Sequence, residues 1–243
     1  HGQRRNRMTN ENISVQNDVE TIEIATTDID VKEEIVDSEV TTSVENEQKA
    51  QDDDYLLVVN ELKEYFPISK SLIKSNTVYL KAVDGVSLKL KAGHTIGIVG
   101  ESGCGKTTLG RTILRLYEPT GGEVIFEGKH IEKLKGNALR KMRPNFQMIF
   151  QDPYSSLSPR MTVGEIVGEA VKVHHIVPKE QYKDYIVDIM TKCGLQPHYF
   201  DRYPHEFSGG QRQRICIAKA LVLKPKLIVC DEPVSALDVS IQA

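Results

Sequence analysis

The stretch Gly100-Glu-Ser-Gly-Cys-Gly-Lys-Thr, residues 100–107, decides the fold of this chain. It matches the pattern G-x-x-x-x-G-K-[ST] and follows Thr95–Val99, an apolar run with the length of a buried strand. A helix is predicted from Thr107 to about Tyr117, closed by Pro119 and the glycines after it. Backbone N–H groups at such a helix start attract anions, and glycines let the backbone approach a phosphate closely. The sequence therefore predicts a phosphate-binding loop; the alternative is a glycine-rich turn that binds nothing.

Each residue type in this loop has a chemical reason to be there. The Lys106 ammonium can reach the β- and γ-phosphates of a nucleotide, and the Thr107 hydroxyl can be a ligand for Mg²⁺. We expect the nucleotide to be contacted by nine consecutive residues: Gly100, Glu101, Ser102, Gly103, Cys104, Gly105, Lys106, Thr107 and Thr108.

A second strand carries the acidic partner of this loop. Leu227–Cys230 is an apolar run that ends in Asp231 and Glu232. Asp231 is placed to hold Mg²⁺ through water, and Glu232, one residue further, is predicted to polarise an attacking water molecule. Charged strand ends are common, so this pair becomes informative only together with the phosphate-binding loop.

The remaining chain alternates predicted strands and helices, which indicates an α/β fold. Strands are expected over residues 56–62, 123–127 and 147–150, and two short strands are expected within 78–90 around a turn at residues 84–85. Residues 162–195 are predicted to be helical, because Thr162 and Glu165 form a capping-box pattern and Gly194 ends a second helix. A third helix is predicted to begin near Ser208.

Composition argues against several classes of protein. The chain has 243 residues, of which 40% are hydrophobic and 27% charged, and it contains no apolar run long enough to span a membrane. No apolar stretch follows the N-terminal arginines, so a secretory signal is not expected. The four cysteines include no C-x-x-C pair, which argues against a disulfide framework or a zinc site.

Charge divides the chain into two unequal parts. Residues 1–54 contain 15 acidic and 5 basic side chains and no aromatic residue, whereas the rest of the chain is net basic. A segment of this composition has too little apolar surface to offset its ordering entropy, so residues 1–54 are predicted to be a disordered acidic tail. The alternative is an edge strand, because residues 21–24 and 29–31 alternate weakly between apolar and polar.

The segment Phe207-Ser-Gly-Gly-Gln-Arg-Gln-Arg, which lies between the loop and Asp231, carries a family resemblance. Together with the helical region before it, this segment resembles the signature of the ATP-binding cassette (ABC) ATPases. The resemblance implies that a helix N-terminus contacts the γ-phosphate of a nucleotide bound to the opposite subunit, and such a terminus suits an anion. The residues concerned are Ser208, Gly209, Gly210 and Gln211. The alternative is that they only cap the helix.

Further positions match the same family. Gln151 resembles the Q-loop glutamine, which implies contact with Mg²⁺ and the γ-phosphate and a link to a membrane partner. Residues 235–238 resemble the D-loop, which crosses the dimer interface. Tyr65 resembles the aromatic residue that stacks on adenine, with Phe66 as its competitor and a buried strand-end tyrosine as the structural alternative. The resemblance assigns catalysis to Glu232, Lys106 and Gln151, and metal binding to Thr107, Gln151 and Asp231.

Four longer segments, residues 110–129, 147–169, 202–215 and 229–243, are similar to the oligopeptide and dipeptide importer ATPases, most of all to their second ATPase subunit. This similarity implies ATP and Mg²⁺ as cofactors and ATP hydrolysis that powers peptide import. It implies a sister ATPase subunit in a homodimer or heterodimer, two membrane-spanning permease subunits, a substrate-binding protein reached indirectly, and no nucleic acid. The location implied is the cytoplasmic face of the cell membrane, through the permeases. Importers of nickel or glutathione and soluble ABC ATPases are the alternatives.

The fold class implied is a P-loop NTPase of ABC type: a mixed sheet around the phosphate loop, an antiparallel β subdomain and an α-helical subdomain. We expect a nucleotide-binding domain over residues 55–243, with its helical subdomain at about 152–207. The family has a switch histidine beyond the D-loop, and this sequence ends before that position, at Ala243. The chain is therefore expected to be C-terminally truncated and nearly inactive as an ATPase; a nucleotide-binding fragment without hydrolysis is the alternative.

Overall fold

The computed structural model describes residues 19–26, 54–68 and 77–231. Within these ranges the chain forms two four-stranded sheets and six α-helices. The first sheet contains the strand that leads into the predicted phosphate loop, the second is antiparallel, and three of the helices pack together beside them. This arrangement confirms the predicted fold class.

The first sheet has the strand order β4-β1-β8-β7. Its strands are β1 (Val19–Thr26), β4 (Thr95–Glu101), β7 (Phe146–Ile149) and β8 (Leu227–Asp231). Strands β7 and β8 are parallel, and β1 is antiparallel to both β4 and β8. Therefore β4, β8 and β7 run in the same direction, and their carboxyl ends meet at one edge of the sheet, which is where ligands bind in open α/β sheets.

The strand β1 corrects the prediction of a disordered tail over residues 1–54. The alternative of a strand at residues 21–24 is confirmed, but β1 is paired on both sides inside the sheet and does not lie at its edge. Ile22 and Ile24 are 0% exposed within β1. The average composition of residues 1–54 does not reveal this strand, because a strand that is paired on both sides needs only two alternating isoleucines for its buried face. Residues 27–53, including the second weakly alternating stretch, lie outside the described residues.

The second sheet has the order β3-β2-β5-β6 and is antiparallel throughout. Its strands are β2 (Leu57–Pro67), β3 (Tyr79–Leu90), β5 (Gly121–Phe126) and β6 (Lys129–His130). The prediction of two strands within 78–90 was wrong, because both halves pair with β2 in one ladder from Leu57–Leu90 to Pro67–Tyr79. Gly85, with φ of 77°, lies inside β3 and opposite irregular pairing in β2, so it accompanies a bulge rather than a hairpin turn.

The helices complete two hydrophobic cores. They are α1 (Lys106–Ile113), α2 (Gly136–Met142), α3 (Pro153–Ser156), α4 (Val163–His174), α5 (Tyr182–Lys192) and α6 (Gly209–Leu221). Helix α1 ends earlier than predicted, and its buried face joins both sheets in the first core. The second core is built from α4, α5 and α6 with the loops around them, so helical packing continues past residue 207 to Leu223.

The predicted start of the helical region is confirmed in detail. The Thr162 hydroxyl accepts a hydrogen bond from the Glu165 backbone N–H at 3.3 Å, and the Glu165 carboxylate accepts one from the Thr162 backbone N–H at 2.8 Å. This capping box satisfies two backbone donors that would otherwise lack partners at the start of α4. None of the helices in the described part of the chain has the length and apolarity needed to cross a bilayer.

Candidate nucleotide-binding site

The predicted phosphate loop joins the end of β4 at Glu101 to the start of α1 at Lys106. Gly103 and Gly105 have φ of 77° and 101°, a region that side chains other than glycine rarely adopt. A Cβ on Gly105 would lie 2.2 Å from the carbonyl oxygen of Ala82 in β3, so this position has no room for a side chain. Residues 101–104 are exposed, and the loop therefore presents its outer face to solvent.

Lys106 lies inside the loop that precedes it. The residue is only 6% exposed, and its ammonium donates hydrogen bonds to the carbonyl oxygens of Gly100 at 2.9 Å and Glu101 at 2.7 Å. A lysine ammonium is a compact point charge with three donors, which suits the binding of phosphate oxygens. The loop thus holds a cation at its centre and exposed backbone around it.

The next residue connects the loop to the second predicted strand. The Thr107 hydroxyl donates a hydrogen bond to a carboxylate oxygen of Asp231 at 2.7 Å, although 124 residues separate them in sequence. Asp231 ends β8 and is 4% exposed. A hydroxyl and a carboxylate beside a phosphate loop are the hard oxygen ligands that Mg²⁺ prefers, so this pair fits the predicted metal site.

Gln151 lies at the same edge of the sheet. It follows β7 by two residues, and Ile149 at the end of β7 pairs with Cys230 in the parallel ladder with β8. Gln151 is exposed and therefore open to a ligand from the side on which β4 and β8 also end. Glu232 and the predicted D-loop at 235–238 lie outside the described residues, so their roles stay predictions.

The predicted signature segment opens helix α6. Ser208 is its N-cap: the hydroxyl accepts a hydrogen bond from the Gln211 N–H at 3.3 Å, and the Gln211 side chain accepts one from the Ser208 N–H at 3.0 Å. The capping alternative therefore describes a real contact. It leaves room for a ligand, because Ser208 is exposed and the Cβ position of Gly209 faces open space.

Tyr65 lies near the phosphate loop, at the β2–β3 ladder. It pairs with Lys81, whose neighbour Ala82 touches Gly105 of the loop. The Tyr65 hydroxyl donates to the Asp84 carboxylate, and this hydrogen bond raises the pKa of Tyr65. Tyr65 is half-buried, and the Lys81 ammonium lies 5.3 Å from the centroid of its ring. The contacts with Asp84 and Lys81 hold the Tyr65 ring close to the loop.

Phe66, the competitor of Tyr65, is used in packing. Its ring meets the ring of Tyr117 edge-to-face, with 5.5 Å between the centroids. This contact favours Tyr65 as the aromatic residue for a base.

Gly110 and Arg111 of α1, which the sequence did not identify, contact the elements around the site. A Cβ on Gly110 would lie 2.6 Å from Cδ1 of Ile22 and 2.8 Å from Cγ1 of Val229. Arg111 donates to the Tyr117 hydroxyl at 3.1 Å, and its guanidinium lies 5.9 Å from the ring centroid of Phe150. A glycine inside a predicted helix is a signal of close packing and could have drawn attention to this position.

One further group of side chains has the composition of a metal site. Glu123 in β5, His130 in β6 and Glu132 in the short 3-10 helix after β6 lie close together. The Glu132 carboxylate already accepts hydrogen bonds from His130 Nδ1 at 2.9 Å and from the Val124 N–H at 3.1 Å. The Lys133 ammonium lies 3.6 Å from the same carboxylate, so we interpret the group as a surface ion-pair network.

The four cysteines are expected to react differently with a thiol reagent. Cys104 is exposed in the loop, whereas Cys216 is buried, and burial raises its pKa to about 11. Burial also raises the pKa of Cys193. Raised pKa values keep both thiols protonated and unreactive near neutral pH, so we expect maleimide to label Cys104 faster than Cys193, Cys216 or Cys230. Peptide mass spectrometry measures each rate.

Mg-ATP is expected to slow the labelling of Cys104 and to leave the other cysteines unchanged. The reason is that a nucleotide in the loop would cover the thiol, whose sulfur lies 3.7 Å from the Lys106 ammonium. Equal rates with and without nucleotide would contradict occupancy of the loop.

A strand, a glycine-rich loop closed around a lysine, and a buried aspartate on a parallel strand define a nucleotide-binding domain of the P-loop class. Residues 83–235 match the sequence family described as "ABC transporter". The chain belongs to the ABC transporter family, as its sequence motifs predicted.

Known proteins similar to this chain point to the same family. This chain is 51% identical over 195 residues to "Oligopeptide transport ATP-binding protein AppF" of Bacillus subtilis, and the match covers 80% of this chain and 59% of that protein. It is 49% identical over 188 residues to "Glutathione import ATP-binding protein GsiA" of Pectobacterium atrosepticum, covering 77% of this chain and 30% of that protein. The chain thus spans roughly half the length, or less, of these curated relatives. Their similarity confirms the resemblance to the importer ATPases.

A solved structure supports the fold independently. The ATP-binding cassette MJ0796, in a dimeric post-hydrolysis state bound to ADP and Pi, superposes with a TM-score of 0.64 at 25% identity. The superposition covers 76% of this chain and 77% of that one.

Proposed function

We propose that this chain binds ATP with Mg²⁺ and is part of the nucleotide-binding subunit of an ABC importer for peptides, a subunit that hydrolyses the nucleotide. The observation that carries the proposal is the hydrogen bond from Thr107 to Asp231 beside the buried Lys106. A lysine and an aspartate are buried together at this edge of the sheet. Burying charged side chains costs free energy, and proteins concentrate such groups at functional sites, so their burial favours a ligand site over a turn that binds nothing.

The chemistry follows from where these side chains lie. Lys106 and the N–H groups at the start of α1 would bind the phosphates, and Thr107 and Asp231 would hold Mg²⁺. The bound ion would neutralise charge on the phosphates. Glu232 would orient a water molecule and accept its proton, and Gln151 would approach the γ-phosphate from the end of β7. Since phosphoryl transfer depends mainly on positioning and electrostatics, the rigid sheet edge is a suitable scaffold.

Calorimetric titration with ATP, in Mg²⁺ and in EDTA, tests the binding part of the proposal. We expect ATP to bind, and to bind more weakly when Mg²⁺ is removed. An affinity that does not depend on Mg²⁺ would contradict the roles of Thr107 and Asp231.

Tyr65 is expected to stack on the adenine. Tyr65→Ala should weaken ATP binding by about five- to 150-fold, because aromatic stacking on a base contributes roughly 1–3 kcal/mol. Tyr65→Phe is the matched control: it keeps the ring but loses the hydrogen bond to Asp84. We expect Tyr65→Phe to bind ATP like the parent chain. Equal losses in both variants would assign the effect to the hydroxyl and contradict stacking.

A second nucleotide-binding subunit is proposed to bind across the exposed start of α6. The open space at Gly209 and the exposed Ser208 support this placement, because a helix N-terminus can complete a phosphate site in a neighbouring subunit. The similar cassette MJ0796 is dimeric. Whether the partner of this chain is identical or a sister subunit is decided by mass measurement in the presence of ATP.

The permease subunits are proposed to dock beside Gln151. An open cavity of about 250 Å³ lies there, lined by Ile149, Phe150, Ser155, Ser156, Cys216 and Lys219 among others. It combines an apolar floor with a lysine, which suits a short segment of a membrane protein, and Phe150 contacts Arg111 of the phosphate-loop helix. Such docking would hold the chain at the cytoplasmic face of the membrane.

Peptides are the proposed cargo, since AppF is described as an oligopeptide transport protein. Glutathione is the second candidate, because GsiA, a glutathione import protein, is nearly as similar; nickel remains the third. Uptake of a labelled tripeptide, of labelled glutathione and of nickel by cells with and without this gene separates the three. Loss of tripeptide uptake alone supports the proposal, and loss of another uptake selects that alternative.

A further inference from the structure

Arg111 connects the helix of the phosphate loop to the segment that carries Gln151. It lies on α1, the helix that begins with Lys106. Its guanidinium lies over the ring of Phe150, with 5.9 Å between Cζ and the ring centroid. Phe150 follows the last residue of β7 and directly precedes Gln151 in the sequence. The Arg111 side chain therefore contacts the residue next to one of the predicted γ-phosphate ligands.

Few contacts hold the Arg111 guanidinium in place. One of its terminal nitrogens donates a hydrogen bond to the Tyr117 hydroxyl at 3.1 Å. The Nε atom is buried and has no hydrogen-bond partner among the described residues. Burying a donor without a partner costs free energy, whereas a cation over the face of an aromatic ring is attracted to it. The contact with Phe150 is therefore a substantial part of what fixes both side chains.

Tyr117 is itself held by the second sheet. Its ring meets the ring of Phe66 in β2 edge-to-face, with 5.5 Å between the centroids and an interplanar angle of 84°. Aromatic pairs prefer this geometry, so the hydroxyl that accepts the hydrogen bond from Arg111 has a defined position. The guanidinium thus lies between an anchored tyrosine and the Phe150 ring.

Phe150 has space beside it on the side of the open cavity. It is half-buried and is one of the residues that line the cavity of about 250 Å³ described above. An aromatic side chain next to open space can change its position more easily than one in a closely packed core. Contact with Arg111 therefore limits the movement of Phe150 and of the backbone that leads into Gln151.

We propose that Arg111 is a positioning residue for Gln151. By holding Phe150 it places the Gln151 amide where it can donate a hydrogen bond to the γ-phosphate, and it does so without touching the nucleotide. This inference rests on the proposed binding of Mg-ATP and on the proposed approach of Gln151 to the γ-phosphate.

The readout is the ratio of the dissociation constants of ADP and ATP, both measured by calorimetry in Mg²⁺ with the full chain. Only ATP has a γ-phosphate, so this ratio reports contacts made to that group. If Arg111 only supported packing, its loss would weaken both nucleotides alike and leave the ratio unchanged. Gln151→Ala is expected to lower the ratio about tenfold, since hydrogen bonds to charged groups are stronger than neutral ones.

Arg111→Met is expected to lower the ratio about threefold in the parent chain, because methionine keeps the bulk of the side chain and removes the charge over the Phe150 ring. In the Gln151→Ala background the same change should have no further effect, since two residues that act through one contact are not additive. Arg140→Met is the matched control: Arg140 is exposed on α2, and its loss should leave the ratio unchanged.

An unchanged ratio in Arg111→Met overturns the inference, and so does an equal threefold loss in the Gln151→Ala background. If Arg111→Met unfolds at the assay temperature, as judged by circular dichroism, Tyr117→Phe replaces it. This variant keeps the ring beside Phe66 and removes the hydroxyl that accepts from Arg111. It should lower the ratio about twofold in the parent chain and not at all in the Gln151→Ala background. Any other pattern overturns the role of Arg111.

The parent chain and Gln151→Ala separate the two proposals. If the parent chain binds no ATP, the proposed function fails. If Gln151→Ala has the same ratio as the parent chain, the proposed role of Gln151 fails, and the inference about Arg111 fails with it. If Gln151→Ala lowers the ratio and Arg111→Met does not, only the role of Arg111 fails.

Discussion

Lys106→Met is expected to weaken ATP binding by about 10²-fold and, in the whole ATPase subunit assembled with its partners, to abolish measurable hydrolysis. The ammonium lies within the loop, 6% exposed and held by two backbone carbonyls, and its charge has no substitute among the described loop residues. Methionine keeps the length and apolar stem of the side chain, so the change removes the charge and the donors. Calorimetry measures the dissociation constant, and phosphate release measures hydrolysis.

Lys141→Met is the matched control for this variant. Lys141 is exposed on α2, so the same substitution there removes a positive charge from the surface and should leave ATP binding unchanged. Comparable losses in both variants would indicate a general effect of net charge. Unchanged binding in Lys106→Met would contradict the assignment of residues 100–108 as the phosphate site.

Glu232→Gln is expected to leave ATP binding intact and to slow hydrolysis by on the order of 10²-fold or more. Glu232 follows Asp231 in the sequence, and Asp231 is the last residue of β8. The amide keeps the shape of the side chain but cannot accept a proton from the attacking water. The measurement is steady-state phosphate release at saturating ATP, in the whole ATPase subunit assembled with its partner subunits.

Glu180→Gln serves as the control, because Glu180 is exposed in the helical region and the same loss of charge there should have no effect. Hydrolysis at the parent rate in Glu232→Gln would contradict the assignment of Glu232 as the general base. Loss of ATP binding in the same variant would instead place Glu232 among the residues that hold the nucleotide.

Much of the candidate site could be predicted from sequence because its information is local. The phosphate loop needs only a strand, glycines with positive φ and a helix start, and residues 95–113 carry all of these consecutively. The capping boxes at Thr162 and Ser208 also depend on contacts within four residues. Local rules of this kind leave the chain few alternatives.

Long-range contacts were predicted less well. The sequence assigned Thr107 to a Mg²⁺ site from the phosphate-loop motif and Asp231 to the same site from the apolar strand before it, and the structure supplies the hydrogen bond between them. The turn predicted at Asp84-Gly85 failed, because the same dipeptide serves in a bulge once β2 supplies a continuous partner. Residues typical of turns favour a local backbone conformation, but they do not determine which strand pairs with the segment that contains them.

The sequence by itself determined the class of this protein, its phosphate loop and its acidic strand end, since each depends on residues adjacent along the chain. Only the tertiary structure decided that Val19–Thr26 lies between β4 and β8 and that Ile22 packs against Gly110. The composition of residues 1–54 predicts disorder, because it averages charge over the whole segment. Burial depends on individual residues, and a strand that is paired on both sides needs only Ile22 and Ile24 on its inner face. The two strands that pair with it, β4 and β8, are formed by residues far away in sequence.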